Sequence, residues 1–223
     1  MQKKSVLFVL LFLGLSSLFS LTNNKFGLKC GLNLSNFSTS GSKYNYGSEF
    51  NLLYGPFWEA SISSRFYVQQ EFFYSKKGSS TDYYIDDAYG RHSFQIHEAL
   101  YYLQMPILFK TKVNEHLAVF TGPSLAILCT GKRGIGRTYQ ASGSLEIEYL
   151  GSEVQDISEM FTSTDFSIIM GIEYFKKWLV LDLRYEFGLT NLSDTNSYEI
   201  EEGSTNEIEL YNRTFSVLLG YKL

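Results

Sequence analysis

Proline, cysteine and histidine are scarce in this chain, at three, two and three residues in 223. Cys30 and Cys129 are too few for a disulfide framework, although an exported protein could form one bridge. Positive charge is also short. With 19 Lys and Arg against 23 Asp and Glu, a net charge of −4 and no basic cluster, nucleic-acid binding has no electrostatic footprint. Long apolar runs are confined to Val6–Leu15, which Gly14 and the following serines interrupt before the roughly 20 residues that a spanning helix needs.

Aromatic residues are what the chain has in excess: 17 Tyr, 18 Phe and two Trp, 17% of the residues. That mixture favours strands over helices. An apolar content of 44% excludes general disorder. The N-terminus reads MQKKSVLFVLLFLGLSSLFS, with two lysines, an apolar core and then small residues, the layout of a secretory signal peptide cut near Ser20. Residues 1–20 are therefore expected to be removed and residues 21–223 to form one exported domain. Loss of Lys3 and Lys4 leaves 17 bases against 23 acids, a net of −6.

Eight strands are expected in that domain, at residues 25–37, 48–62, 66–76, 96–112, 117–128, 165–175, 179–189 and 211–223, each near the ten residues that cross a bilayer when tilted. Strands two and three, four and five, and six and seven are joined by short turns around Ser63–Arg65, Asn114–His116 and Lys176–Trp178. The other connections, at about residues 38–47, 77–95, 129–164 and 190–210, are long and polar. Short turns at one end, long loops at the other and an even strand number predict an all-β fold: an eight-stranded antiparallel up-and-down transmembrane β-barrel with short periplasmic turns and long extracellular loops. Both mature termini then lie on the periplasmic side of an outer membrane.

A soluble barrel binding a small apolar ligand shares the strand count, so strand faces must arbitrate. In LVLDLRYEFGL, residues 179–189, one parity is Leu, Leu, Leu, Tyr, Phe, Leu and the other is Val180, Asp182, Arg184, Glu186 and Gly188. Three consecutive charges inside a soluble barrel are expensive, whereas an apolar face turned to lipid leaves a polar interior for them. Lys29, Glu59, Glu71, Glu173, Asp182, Arg184 and Glu186 are accordingly expected to form a structural ion-pair network filling a lumen too narrow to conduct. Arg184 should pair chiefly across the lumen to Glu173 or Glu71. Phe37, Trp58, Phe66, Phe109, Phe175, Trp178 and Tyr221, near strand ends, are expected in interfacial girdles.

Candidates for chemistry are weak. His97 and Glu98 point to opposite faces of a strand, His92 lies in a loop and His116 in a turn, so neither a catalytic pair nor a metal site is expected, and no cofactor. TGKRGIGRTY, residues 130–139, lacks the strand, glycine loop and helix of a phosphate cradle. Lys132, Arg133 and Arg137 are better read as a basic extracellular loop that could touch lipopolysaccharide phosphates. The acidic stretch that follows could form an extra hairpin or a short helix. The expected function is non-enzymatic, in envelope structure or in presenting loops to a partner. A membrane-embedded enzyme acting on lipid would need a polar catalytic cluster at the lipid-facing rim, and the sequence shows none.

FGLKCGLNLSNF, FYVQQEFFYSKKG, YYLQMPILFK, FTGPSLAIL, FSIIMGIEYF, LDLRYEFGLTNL and FSVLLGYKL, in this order and spacing, resemble the outer-membrane β-barrel family of Bacteroidota named after PorT. The resemblance spans nearly all of the mature chain. It implies an outer-membrane location, an eight-stranded barrel, insertion by the barrel-assembly machinery, and lipid and lipopolysaccharide as neighbours. For the family's namesake it also implies a link to protein export by the type IX secretion system, which makes secretion-system proteins candidate partners. The end of the chain departs from many outer-membrane proteins: Leu223 stands where a terminal Phe or Trp is common, and Leu218 where a Gly precedes it.

Overall fold

The computed structural model describes residues 24–40, 46–144, 146–193 and 209–223. The signal peptide expected at residues 1–20 lies outside them, as do most of the two connections around residues 41–45 and 194–208. The described residues form ten strands: β1 (Lys25–Ser40), β2 (Gly47–Ser61), β3 (Phe66–Glu71), β4 (Phe73–Asp86), β5 (Gly90–Lys112), β6 (Leu117–Ala141), β7 (Glu148–Asp156), β8 (Thr164–Lys176), β9 (Leu179–Gly188) and β10 (Glu209–Lys222). All pairings are antiparallel. With β3 and β4 counted as one broken strand, eight strands form a ring that closes where β10 pairs β1, from Gly27↔Lys222 to Ser40↔Glu209. Lower in the ring every strand has a partner on both sides, whereas among the described residues 81–86 of β4 pair β5 alone and β7 pairs β6 alone.

The break at Phe72 has a local cause. Between Gln70↔Ile107 and Phe73↔Gln104 the ladder to β5 lapses opposite Met105 and Pro106, and across the neighbouring seam lies Pro56. Proline has no N–H to offer a ladder. The Gln70 side-chain amide donates instead to the carbonyls of Pro106 (2.9 Å) and Glu71 (3.1 Å), and the Phe72 N–H donates to Pro56 (3.0 Å).

Two of the long loops expected from the sequence are strands. β4 runs on to Asp86 and β5 begins at Gly90, so most of residues 77–95 is a tall hairpin with residue-by-residue pairing from Lys76↔Tyr101 to Asp86↔Arg91. β6 continues through the glycine-rich stretch to Ala141, pairing β5 on one side and β7 on the other. These segments look like loops because they are polar on both faces. A strand standing clear of the bilayer needs no apolar face. The acidic segment supplies both expected forms, the strand β7 and a 3-10 turn at Ser158–Met160.

The faces of the ring are sorted with the apolar side outward. Leu28, Leu32, Leu52, Ile168, Met170, Ile172, Leu181, Val217 and Leu219 are all exposed, and Phe26, Phe66, Phe109, Trp178 and Tyr221 flank them toward the short-turn end. Buried inside are Lys29, Glu59, Glu71, Lys77, Lys110, Glu173, Asp182, Arg184 and Glu186. An inverted distribution of this extent suits hydrocarbon outside and rules against a soluble barrel with an apolar ligand cavity. Three aromatics do not join the girdle. Phe37 (3% exposed) and Trp58 (6%) are buried, and Phe175 is half-buried at the short-turn mouth. Phe37 shares the inward parity of Lys29, Asn33 and Ser35, which decides its direction.

Candidate functional site

The lumen is the only place among the described residues where charged side chains converge in number, and it is organised in layers along the barrel axis. Nearest the short-turn end, Lys110 on β5 donates to Glu59 on β2 (2.6 Å), Glu173 on β8 (2.5 Å) and the side-chain oxygen Oε1 of Gln69 on β3 (2.8 Å). Lys222 on β10 donates to the second oxygen of Glu59 at 3.0 Å. One layer up, Lys29 on β1 donates to Asp182 (2.7 Å), Glu71 (3.0 Å) and Glu173 (3.4 Å). Arg184 on β9 donates to both oxygens of Glu71 and to Asp182. These two layers hold four cations, Lys29, Lys110, Arg184 and Lys222, and four carboxylates, Glu59, Glu71, Glu173 and Asp182. Their equality is what makes so dense a buried cluster tolerable, because each charge removed from water is met by opposite charge and hydrogen bonds.

Packing fixes the guanidinium as well as charge. Its carbon stands 5.7 Å from the Phe73 ring centre and 5.4 Å from that of Phe120. Gly171, on the facing position of β8, makes room for Phe120, since a Cβ there would lie 2.6 Å from the ring.

Above Arg184 the third layer is smaller. Lys77 on β4 meets Glu186 on β9 at 2.7 Å and Asp165 on β8 at 3.7 Å. Gln104 and Ser167 also donate to Glu186, at 2.9 and 2.6 Å, and Asn212 donates to Asp165 at 2.7 Å. The end beyond is closed by apolar side chains: Phe37, Leu100, Tyr102, Ala126, Ile157, Phe161, Leu192 and Leu210 form one buried cluster. Main-chain bonds hold this plug, Ile157 N–H to Gly131 O (3.0 Å), Thr162 N–H to Leu192 O (3.0 Å) and Leu192 N–H to Leu210 O (2.8 Å).

All seven lumen residues singled out from the sequence thus lie buried in the interior, six in the two lower layers and Glu186 in the third. Arg184 takes Glu71 across the lumen. Glu173 goes to Lys110 and Lys29 instead, and Asp182, its neighbour on the same strand, bends to Arg184. Four charged members were not singled out, Lys77, Lys110, Asp165 and Lys222. Lys222 stands on the polar parity of the closing strand, and Lys110 on the parity of Gln104, so strand alternation carried a signal for both; Lys77 lay in a stretch read as loop.

The basic trio lies on β6, not in a loop. Arg133 donates to Glu98 at 2.6 and 3.0 Å, Arg137 to Glu153 at 3.4 Å, and Lys132 is exposed, with no ion pair among the described residues. His97 Nδ1 lies 2.6 Å from Glu49 Oε1 and His92 Nε2 3.6 Å from Asp87, both at the exposed tall end. Among the described residues no three of His, Cys, Asp and Glu are placed to hold a metal ion.

Comparison with solved structures gives likeness over nearly the whole chain at low identity. The attachment invasion locus protein Ail of Yersinia pestis is 14% identical, with 91% of this chain and 100% of that one covered at a TM-score of 0.43. Neisserial surface protein A is 11% identical, with 90% and 99% covered at 0.43. OprG from Pseudomonas aeruginosa is 9% identical, with 90% and 94% covered at 0.35. No curated protein matches the sequence. The model of the outer membrane protein beta-barrel domain matches residues 12–194, most of the chain, and with the closed ring, apolar exterior and charged interior described above, the protein belongs to that family of outer-membrane β-barrels.

Proposed function

We propose that the protein is a non-enzymatic outer-membrane barrel whose lumen is a structural strut and whose working surface is the tall end of its strands. The observation that carries this reading is the filled interior: three ionic layers and an apolar plug occupy the axis from one mouth to the other. A barrel of eight strands has an interior just wide enough for side chains, so a filled lumen leaves no conducting path. The β4–β5 and β6–β7 hairpins rise beyond the apolar band and offer polar strands to a partner outside the membrane.

The narrower reading places the termini and short turns in the periplasm and the hairpins outside the cell, with a signal peptide directing export. It is supported by the difference in length between the connections at the two ends. Membership of the group named after PorT, an origin in Bacteroidota and a part in type IX secretion are supported by the likeness of the seven quoted stretches. Contact of the tall end with lipopolysaccharide phosphates would fall chiefly to Lys132, since Arg133 and Arg137 already have carboxylate partners.

Reconstitution in planar bilayers and in lipid-conversion assays tests the central claim. No stable conductance and no turnover are expected. Steady ion conductance by the purified, heat-modifiable barrel would overturn it. Cross-linking in native membranes followed by pull-down then identifies the partner of the hairpins.

A further inference from the structure

A small depression at the short-turn mouth of the barrel is lined by five lysines and two glutamates. Lys110 and Lys222 are matched by Glu59 and Glu173, but Lys25, Lys112 and Lys177, which line the same small depression, make no ion pair among the described residues. They come from three different elements: the start of β1, the end of β5 and the β8–β9 turn. Lys112 is held over aromatic faces, its Nζ 4.5 Å from the Tyr67 ring centre and 5.5 Å from that of Phe175. Lys222 Nζ approaches the same Phe175 ring at 5.5 Å. Lys177 adopts a left-handed backbone conformation, φ 54°, at the corner of its turn. The positive ends of Lys25, Lys112 and Lys177 are thus gathered around one hollow whose two carboxylates, Glu59 and Glu173, already bond Lys110 and Lys222.

The hollow is about 30 Å³ in volume. A water-sized group needs roughly 10–15 Å³, so the space has room for a small polar group such as a carboxylate. From this cup we infer that the short-turn mouth is a docking site for an acidic polypeptide segment, one carboxylate of which enters the depression between Lys112 and Lys222. The exposed Lys25 and Lys177 at the rim meet further carboxylates of the same segment. Charge complementarity of this kind fixes orientation and speeds encounter. Matching of the deeper cations by Glu59 and Glu173 keeps the barrel stable while the cup is empty. The partner's compartment, though not the binding itself, rests on the orientation proposed above.

The test uses the purified full-length mature barrel in zwitterionic detergent micelles, titrated with a tetraglutamate peptide, with sodium acetate and with inorganic phosphate, and followed by calorimetry and by the NMR signals of the lysine ammonium groups. The peptide is expected to bind tightest, to shift the Lys112 and Lys222 signals first, and to weaken as salt is raised. A variant combining Lys25→Gln, Lys112→Gln and Lys177→Asn, the last chosen because Asn accepts a left-handed backbone, should bind the peptide about 10-fold more weakly or worse. Lys176→Gln, on the outer face at the same end, should bind as the parent does. The gel shift of the folded barrel checks that each variant closes, and the three single substitutions stand in if the triple variant does not. Equal peptide binding by parent and variants, or acetate or phosphate binding as tightly as peptide, overturns the inference. Labelling that showed the short turns outside the cell would move the partner and leave the binding result untouched.

Discussion

Arg184 and Glu71 face each other across the lumen and join by two parallel hydrogen bonds, Nη1 to Oε2 at 2.6 Å and Nη2 to Oε1 at 3.0 Å, linking β9 to β3. Neither side chain reaches solvent, and each has a second partner, Asp182 for Arg184 and Lys29 for Glu71. Arg184→Leu removes one of four cations matched to four carboxylates and leaves Glu71 and Asp182 short of compensation. The expected cost is on the order of 3–5 kcal/mol, seen as a lower temperature for loss of the folded gel form. Arg184→Lys keeps the charge but not the fork, and should fall between parent and Leu variant. Near-normal stability of Arg184→Leu would mean that the network is not the strut proposed here.

The outward apolar face predicts behaviour in fractionation. The protein should sediment with the outer membrane and migrate differently on gels before and after boiling, because the closed ring resists detergent until heated. Recovery in a soluble fraction, with no heat-dependent shift, would contradict the membrane assignment.

Gln70 supplies a more local prediction. Its amide answers the Pro106 carbonyl where the ladder to β5 lapses, so Gln70→Leu leaves that carbonyl without its donor in a seam that water does not reach. An orphaned buried carbonyl costs about 1–3 kcal/mol. Gln70→Glu should be worse, because a carboxylate repels the oxygen it replaces a donor to. Thermal gel-shift midpoints in the order parent, Leu, Glu would bear this out, and an unchanged midpoint for both would show that another group satisfies Pro106.

Much of this could be read from alternation alone, and the parts that could not have identifiable causes. In β9 the pattern Leu, Val, Leu, Asp, Leu, Arg, Tyr, Glu assigns every side chain to a face, and Asp182, Arg184 and Glu186 all point inward. Which carboxylate answers Arg184 depends on the stagger between strands that are distant in the chain, and no local pattern encodes that. Phe37 lies near a strand end, where a girdle aromatic is expected, but its parity turns it inward. The tall hairpins are hard to read because hydropathy stops marking strands once both faces are wet: Ser79, Ser80 and Asp82 on β4 pair residue by residue with Glu98, His97 and Gln95 on β5. Lys77 was lost at the same boundary. The break at Phe72 hides behind two prolines, which in a soluble protein would argue against strands altogether.

Phe161 tests the plug separately from the ionic layers beneath it. It is 3% exposed and its ring lies 6.0 Å from that of Phe37. Phe161→Ala removes a core aromatic, a change that costs about 3–5 kcal/mol in a rigid core. Here the ring of strands closes independently, so the loss should appear as local opening of residues 157–162. Amide exchange should speed up at Ile157 and Thr162, whose N–H groups bond Gly131 and Leu192, while amides of β9 and β10 stay protected.

The tip of the β4–β5 hairpin gives the pH dependence. The Asp87 carboxylate accepts the backbone N–H groups of Tyr89 (2.8 Å) and Gly90 (2.9 Å), and these bonds hold its pKa below the ordinary aspartate value. A carboxyl whose pKa is depressed by folding contributes stability above its unfolded value, about 3.9, and loses that contribution as pH falls through the lower folded value. The tip should therefore keep its closed geometry from neutral pH down to about pH 4 and open only below it, while the rest of the hairpin stays paired. NMR shifts of the Tyr89 and Gly90 amides, followed from pH 7 to pH 2, check this. Both should move together with one midpoint below 3.9, and in Asp87→Asn the movement should vanish. A midpoint at or above the ordinary value would show that the two hydrogen bonds do not favour the charged form, and with it that the tip is held by strand pairing alone.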